Sequence, residues 1–140
     1  MEPAVIIHCE LSQIFNTQKV QQKIIKRIPH LAKAFGIKNL CLIDVDNLGL
    51  EEWGFDAELN IKYAKNLNEA LSYYPDLEPV YVEQGSDTYL NDFQHPYDAV
   101  YIFGADYGQL PKATISIPSD IALYVDDVMA IVLYDRYISI

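Results

Sequence analysis

The chain has 140 residues, 51% of them hydrophobic, and a formal net charge of −10. That length reads as one domain, residues 1–140, with enough apolar content for a sizeable core, which excludes global disorder. The acidic balance argues against indiscriminate binding of nucleic acid, whose phosphates are met mostly by Lys and Arg. No apolar run approaches the roughly 20 residues a membrane helix needs, and no basic-then-apolar leader is visible; no membrane partner and a cytoplasmic location are expected.

Ala4 to His8 reads as a short buried strand. Cys9 and Cys41 lie in apolar strand-like runs, in no metal-ligand spacing, and are expected to be reduced and buried. Asn16 or Thr17 caps a helix in which Val20, Ile24, Ile28, Leu31 and Phe35 recur at spacings of three and four. Lys19, Lys23, Lys26, His30 and Lys33 recur on the opposite side as one narrow stripe. Six of the ten Lys and Arg residues fall between Lys19 and Lys38. The stripe reads either as a solvated face or as a phosphate-contacting one. Pro29 should kink this helix or split it in two, and Gly36 should end it.

Asn39 to Val45 is a strand running into a turn at 46–49. Residues 59–63 alternate like a half-buried strand. Asn66 caps a short helix through Tyr73, with Glu69 as its capping-box partner. Val80–Val82 is another strand, and Gly85 to Pro96 a polar, aromatic loop with about one helical turn. Then come an apolar run (Ala99–Phe103), a glycine loop (Gly104–Pro111), a second run (Thr114–Ile117) closed by Pro118, and an apolar helix from Ile121 to Tyr137. Strands alternating with helices indicate an α/β fold, with a mostly parallel sheet and helices on both faces. Ligands then bind at the carboxyl ends of strands, where the Gly104 and Pro118 loops belong.

Three segments resemble a known family. Phe103-Gly104-Ala105-Asp106-Tyr107-Gly108-Gln109-Leu110-Pro111 resembles the second motif of the SpoU/TrmH branch of the SPOUT methyltransferases. Ile117-Pro118, Ala122-Leu123-Tyr124-Val125 and the helix to Leu133-Tyr134-Asp135 resemble its third motif, and Ala34-Phe35-Gly36-Ile37 the end of its first. The resemblance implies a C-terminal trefoil knot, a homodimer, and S-adenosylmethionine held in the knot, with S-adenosylhomocysteine as product. It also implies methyl transfer to a ribose 2′-hydroxyl of tRNA or rRNA. The cofactor-binding residues it implies are Phe103, Gly104, Leu110, Ile117, Pro118 and Leu123. Gly104 would let the main chain approach the ligand closely, so Gly104→Trp should abolish cofactor binding and leave the dimer intact.

The chain departs from the family in its chemistry. His30 stands at the position of the family's Arg, and Ile24 at that of its Asn. Asp106 replaces a Glu, and the second glycine falls one position early, at Gly108. Ser-Leu-Asn becomes Ala122-Leu123-Tyr124. Arg27, His30 and Tyr124 are the catalytic candidates left to activate and orient a ribose hydroxyl. Lys19, Lys23, Lys26, Arg27 and Lys33 are the candidate RNA contacts.

Two other classes fit parts of the chain. Leu42 to Asn47 resembles the metal-binding opening of PIN/NYN nucleases and HAD phosphatases, with Asp106, Asp126 and Asp127 completing an acidic Mg²⁺ cluster. The bland reading of Asp126-Asp127 is a helix start, where negative charge suits the dipole. Alternatively, a knotted dimer with an acidic surface binds a basic partner protein as a regulator. Val128, Met129, Ile131, Val132 and Leu133 leave the last helix little polar surface, so a second subunit is its expected cover, the alternatives being a central core helix in a monomer or, from the β-branched content, a strand.

Overall fold

The computed structural model describes residues 2–9, 18–55, 58–83, 86–104, 114–121 and 123–140, with only the backbone described for residues 18–21 and 114. Strands β1 (Ala4–Cys9), β2 (Asn39–Asp44), β3 (Asn60–Ala64), β4 (Glu78–Val82), β5 (Ala99–Phe103) and β6 (Thr114–Ile115) form one sheet in the order β3-β2-β1-β5-β4-β6. Every pairing is parallel. The expected α/β fold with a mostly parallel sheet is therefore observed. Residues 105–113, through which the expected knot would thread, lie outside the described residues.

Strand parity explains both cores. Val5, Ile7 and Cys9 point to one face, with Leu40, Leu42, Tyr101 and Phe103. Ala4, Ile6, Cys41, Ile43, Val100 and Ile102 point to the other. The first face is covered by α1 (Gln18–Ala34) and α3 (Val125–Ser139), the second by α2 (Leu67–Ser72). Burial on both faces is why β1 and β5 read as continuous apolar runs. The two cysteines are free and buried, and their side chains lie on opposite faces. Burial pushes both thiols up, Cys41 to about 12.

α1 runs unbroken through Pro29, correcting the expectation of two pieces. Pro in a helix interior costs about 3 kcal/mol. Ile25, Ile28, Leu31 and Ala32 are buried against the sheet and α3, and this burial offsets it. The helix ends as expected at Gly36, whose φ is 75°. The Ile37 N–H donates to Ala32 O at 2.9 Å and the Gly36 N–H to Lys33 O at 3.2 Å, the paired bonds of a Schellman cap. Asn66 caps α2 by accepting from Glu69 N–H at 2.8 Å, but the Glu69 carboxylate accepts from the Tyr73 hydroxyl at 3.1 Å instead of closing the capping box.

α3 begins at Val125, four residues later than expected from the apolar run. Met129, Val132 and Leu133 are buried in the chain's own core, while Ile131, Tyr134, Tyr137 and Ile138 are exposed. The helix is also pinned from the side. His95 is buried between β5 and α3: the Tyr101 hydroxyl donates to its Nδ1 at 2.7 Å and its Nε2–H donates to Asp135 at 2.6 Å. Arg136 donates to Tyr97 O at 3.2 Å. Burial pushes the Tyr101 phenol up to about 12. Among the described residues, no helix is long and apolar enough to cross a membrane.

Candidate functional site

In a parallel sheet all carboxyl ends share one edge, and this edge is where the described cofactor candidates lie. β5 and β6 flank β4, so their ends stand about 10 Å apart. Gly104 follows β5 with φ 81°. A Cβ there would lie 3.1 Å from His8 O and 3.3 Å from Val125 Cγ2. The first residue of α3 is thus seated over the ends of β1 and β5.

The close approach that Gly104 permits is therefore to the chain's own backbone. The loss of cofactor binding expected of Gly104→Trp would therefore come with strain, because any side chain here presses on His8 and on the first residue of α3. Gly104→Ala is expected to cost about 2 kcal/mol, combining left-handed strain with a displaced His8 carbonyl. Gly36→Ala, with φ 75° but nothing within 4 Å of its Cβ, should cost about 1 kcal/mol. Urea unfolding of the two variants checks the difference; equal costs would mean the close contact at Gly104 is relieved freely.

The other cofactor candidates divide. The Phe103 side chain is buried and stacks on Tyr101, with ring centroids 6.5 Å apart, so only its backbone is left for a ligand. Ile117 is half-buried just after β6, Pro118 is exposed, and Leu123 is half-buried just before α3. Leu110, like Asp106, Gly108 and Ala122, lies outside the described residues.

The catalytic candidates are separated. Arg27 reaches the start of α3, its guanidinium 3.4 Å from Asp126 Oδ2. Asp126 is buried, and its Oδ1 has no hydrogen-bond partner among the described residues. Its charge is supported by Arg27 and by the N-terminal end of the 15-residue α3. Tyr124 is the exposed N-cap of the same helix. His30 instead lines a groove of about 700 Å³ on the outer side of α1, with Lys26, Lys33 and Trp53. Lys23, Lys26, Arg27, His30 and Lys33 are all exposed, and the Lys19 side chain lies outside the described residues.

Two features escaped the sequence reading. His8 sits at the carboxyl end of β1 beside Gly104, and burial holds its pKa down at about 4, so it is neutral at pH 7. A polar residue closing an apolar strand run was the available signal. The second is the groove beside Trp53, which no local pattern announces.

The geometry also weighs against the metal-dependent nuclease. The Asp44 carboxylate accepts from Leu48, Gly49 and Leu50 N–H at 2.7, 3.0 and 3.2 Å. It organises the turn after β2, in which Asn47 and Gly49 have positive φ. Asp126 faces Arg27.

No family model matches the chain, and no curated protein matches it by sequence. Solved structures do match it in fold. A presumed RNA methyltransferase of Bacillus anthracis superposes with a TM-score of 0.70 at 19% identity, over 98% of this chain and 93% of that one. A structure described as giving insight into 2-OH methylation of C/U34 on tRNA gives 0.70 at 14% identity, over 97% and 94%. The SpoU methyltransferase of Streptomyces viridochromogenes, in complex with AdoMet, gives 0.64 at 16% identity, over 96% of this chain and 56% of that one. The chain has the SpoU/TrmH-type fold.

Proposed function

We propose that the chain binds S-adenosylmethionine at the carboxyl ends of β5 and β6 and is a 2′-O-ribose methyltransferase-like protein acting on tRNA or rRNA. The fold match over nearly the whole length of two RNA methyltransferase-type structures carries this reading. A relative of the same fold is described with AdoMet bound.

The residues at this edge fit such a cofactor chemically. Half-buried Ile117 and Leu123 offer apolar walls for an adenine, and the backbone just beyond the strand ends, at Ile117, can meet its polar edge, since the Ser116 N–H and C=O are taken by Thr88 O and Leu90 N–H. When bound, the cofactor supplies an electrophilic methyl group. Arg27, held by Asp126, is the group able to grip a phosphate or orient a ribose hydroxyl beside the start of α3. The Tyr124 hydroxyl adds a hydrogen-bond partner there. His8 stays neutral and is too weak a base at about 4 to hold a proton at pH 7. In this reading the cofactor is held in a C-terminal trefoil knot.

The assembly proposed is a homodimer through the outer face of α3. Ile131, Tyr134, Tyr137 and Ile138 are exposed along it, and Tyr134 and Tyr137 also pack edge-on against Phe35 of α1. Light scattering should give twice the chain mass of 16.0 kDa. Tyr134→Glu with Ile138→Glu should halve that mass; a monomeric parent chain would remove the dimer from the proposal.

Calorimetry with S-adenosylmethionine and S-adenosylhomocysteine tests the cofactor site. Both should bind, and Ile117→Asp or Leu123→Asp should weaken binding at least tenfold (about 1.4 kcal/mol). No heat at millimolar ligand would overturn the reading. Transfer of a labelled methyl group to RNA then tests catalysis, with Arg27→Ala expected to lower it more than His30→Gln. A second reading is favoured by the position of His30, which lies in the outer groove and not with Arg27 and Tyr124. In it, the knotted dimer keeps the cofactor and has become a non-catalytic regulator, whose acidic surface meets a basic protein. Cofactor binding without transfer to any RNA would select it.

A further inference from the structure

The groove between α1 and the segment after β2 sets a cationic wall against an aromatic one. Its α1 wall carries Lys26, His30 and Lys33, with Pro29 beside them; its other wall carries Trp53 and Phe55. Gly54, with φ 74°, turns the backbone between the two aromatic residues. This brings both rings to the groove, 6.1 Å apart and tilted by 31°. The indole is fixed, because its Nε1–H donates to Leu48 O at 3.2 Å. Lys33 is held at the rim by Glu58 at 2.6 Å. The volume, about 700 Å³, is within the range of small-ligand sites. A cationic wall facing a fixed aromatic wall, in a chain of net charge −10, suits a ligand with an anionic edge and a flat face.

We infer that this groove is a subsite for single-stranded RNA, in which one base stacks on Trp53 and Phe55 while Lys26, His30 and Lys33 receive the adjoining phosphates. The inference rests on the RNA-directed reading above for its choice of polymer. A base inside a duplex hides its face, so the strand must be unpaired where it enters. An aromatic platform takes any base, so the subsite contributes affinity and register and little sequence preference. None of its lining residues is among those proposed to hold the cofactor, and so it holds a nucleotide flanking the reacting one.

Trp53 is the only tryptophan, so its emission reports on this groove. Titration of the full chain with a short uridine oligonucleotide should quench that emission saturably. Affinity should fall with salt at a log–log slope of about −1.4, from Lys26 and Lys33 at roughly 0.7 per contact. Measured by anisotropy of a labelled oligonucleotide, Trp53→Ala and Lys26→Glu should each weaken binding at least tenfold, and Trp53→Phe by less than about threefold. Absence of quenching overturns the inference. So does oligonucleotide binding indifferent to Trp53→Ala and Lys26→Glu, or equal quenching by a poly-glutamate peptide, which would mark a site for an acidic protein segment. Calorimetry with S-adenosylmethionine on the same variants separates the two proposals. Unchanged cofactor binding without quenching removes the groove alone, whereas quenching without cofactor binding removes the methyltransferase reading alone.

Discussion

Acidification from pH 7 to 4 is expected to remove up to about 3 kcal/mol of folding stability through His8 alone. In the folded chain burial holds this imidazole neutral down to about pH 4, against an ordinary value of 6.5 in the unfolded chain. Between those values the unfolded state binds the extra proton. Stability is therefore full above 6.5, falls as the pH drops through the window, and is lost below about 4. His8→Gln has no proton to gain at this position and should be flatter over the same range. The difference between the two chains in urea unfolding isolates His8 from the carboxylates, which titrate in both. Parallel losses would show that His8 protonates in the folded state as readily as in water. The strand end beside Gly104 would loosen first, so cofactor binding should weaken in the same window.

His95→Ala is expected to cost about 3 kcal/mol, lowering the thermal midpoint by roughly 10 °C in a domain of this size. The side chain is 1% exposed and joins Tyr101 of β5 to Asp135 of α3. Its removal leaves a buried phenol without its acceptor and a carboxylate, about one third exposed, without its donor. It also opens a cavity against the Phe93 ring, whose centroid is 5.2 Å away. Asp135→Asn keeps an acceptor for the imidazole N–H and should cost about 1 kcal/mol. A loss below about 0.5 kcal/mol in His95→Ala would mean that water fills the gap and that α3 is held by its apolar face alone.

The sheet was legible because parity leaves a mark in the sequence. Strands buried on both faces, such as Ala4–Cys9 and Ala99–Phe103, read as unbroken apolar runs. Gly36 and Asn66 were legible as caps because their roles are local. The start of α3 was not: Ile121 continues the apolar run but is 75% exposed, ahead of the first helical turn. Gly104 was recognised as a necessary glycine, but its reason lies at His8, nearly a hundred positions earlier. His95 and Asp135 meet across forty residues, and Trp53 becomes a groove wall only when Gly54 turns the chain toward α1. In each such case the partner is supplied by topology and leaves no trace in neighbouring residues.

The sheet order also has a bearing on how the chain is made. Ala4 of β1 has Asn39 as its partner on one side and Val100 on the other. During vectorial synthesis β1 can zip to β2 early, and β2 to β3, giving a half-sheet while the rest is still being translated. The second edge of β1, with Val5, Ile6 and Ile7 fully buried in the finished fold, then waits for β5. A nascent chain halted before residue 99 therefore presents an open, apolar strand edge. Truncations ending there should be captured by chaperones or aggregate, whereas those extending past Phe103 gain the strand that closes it.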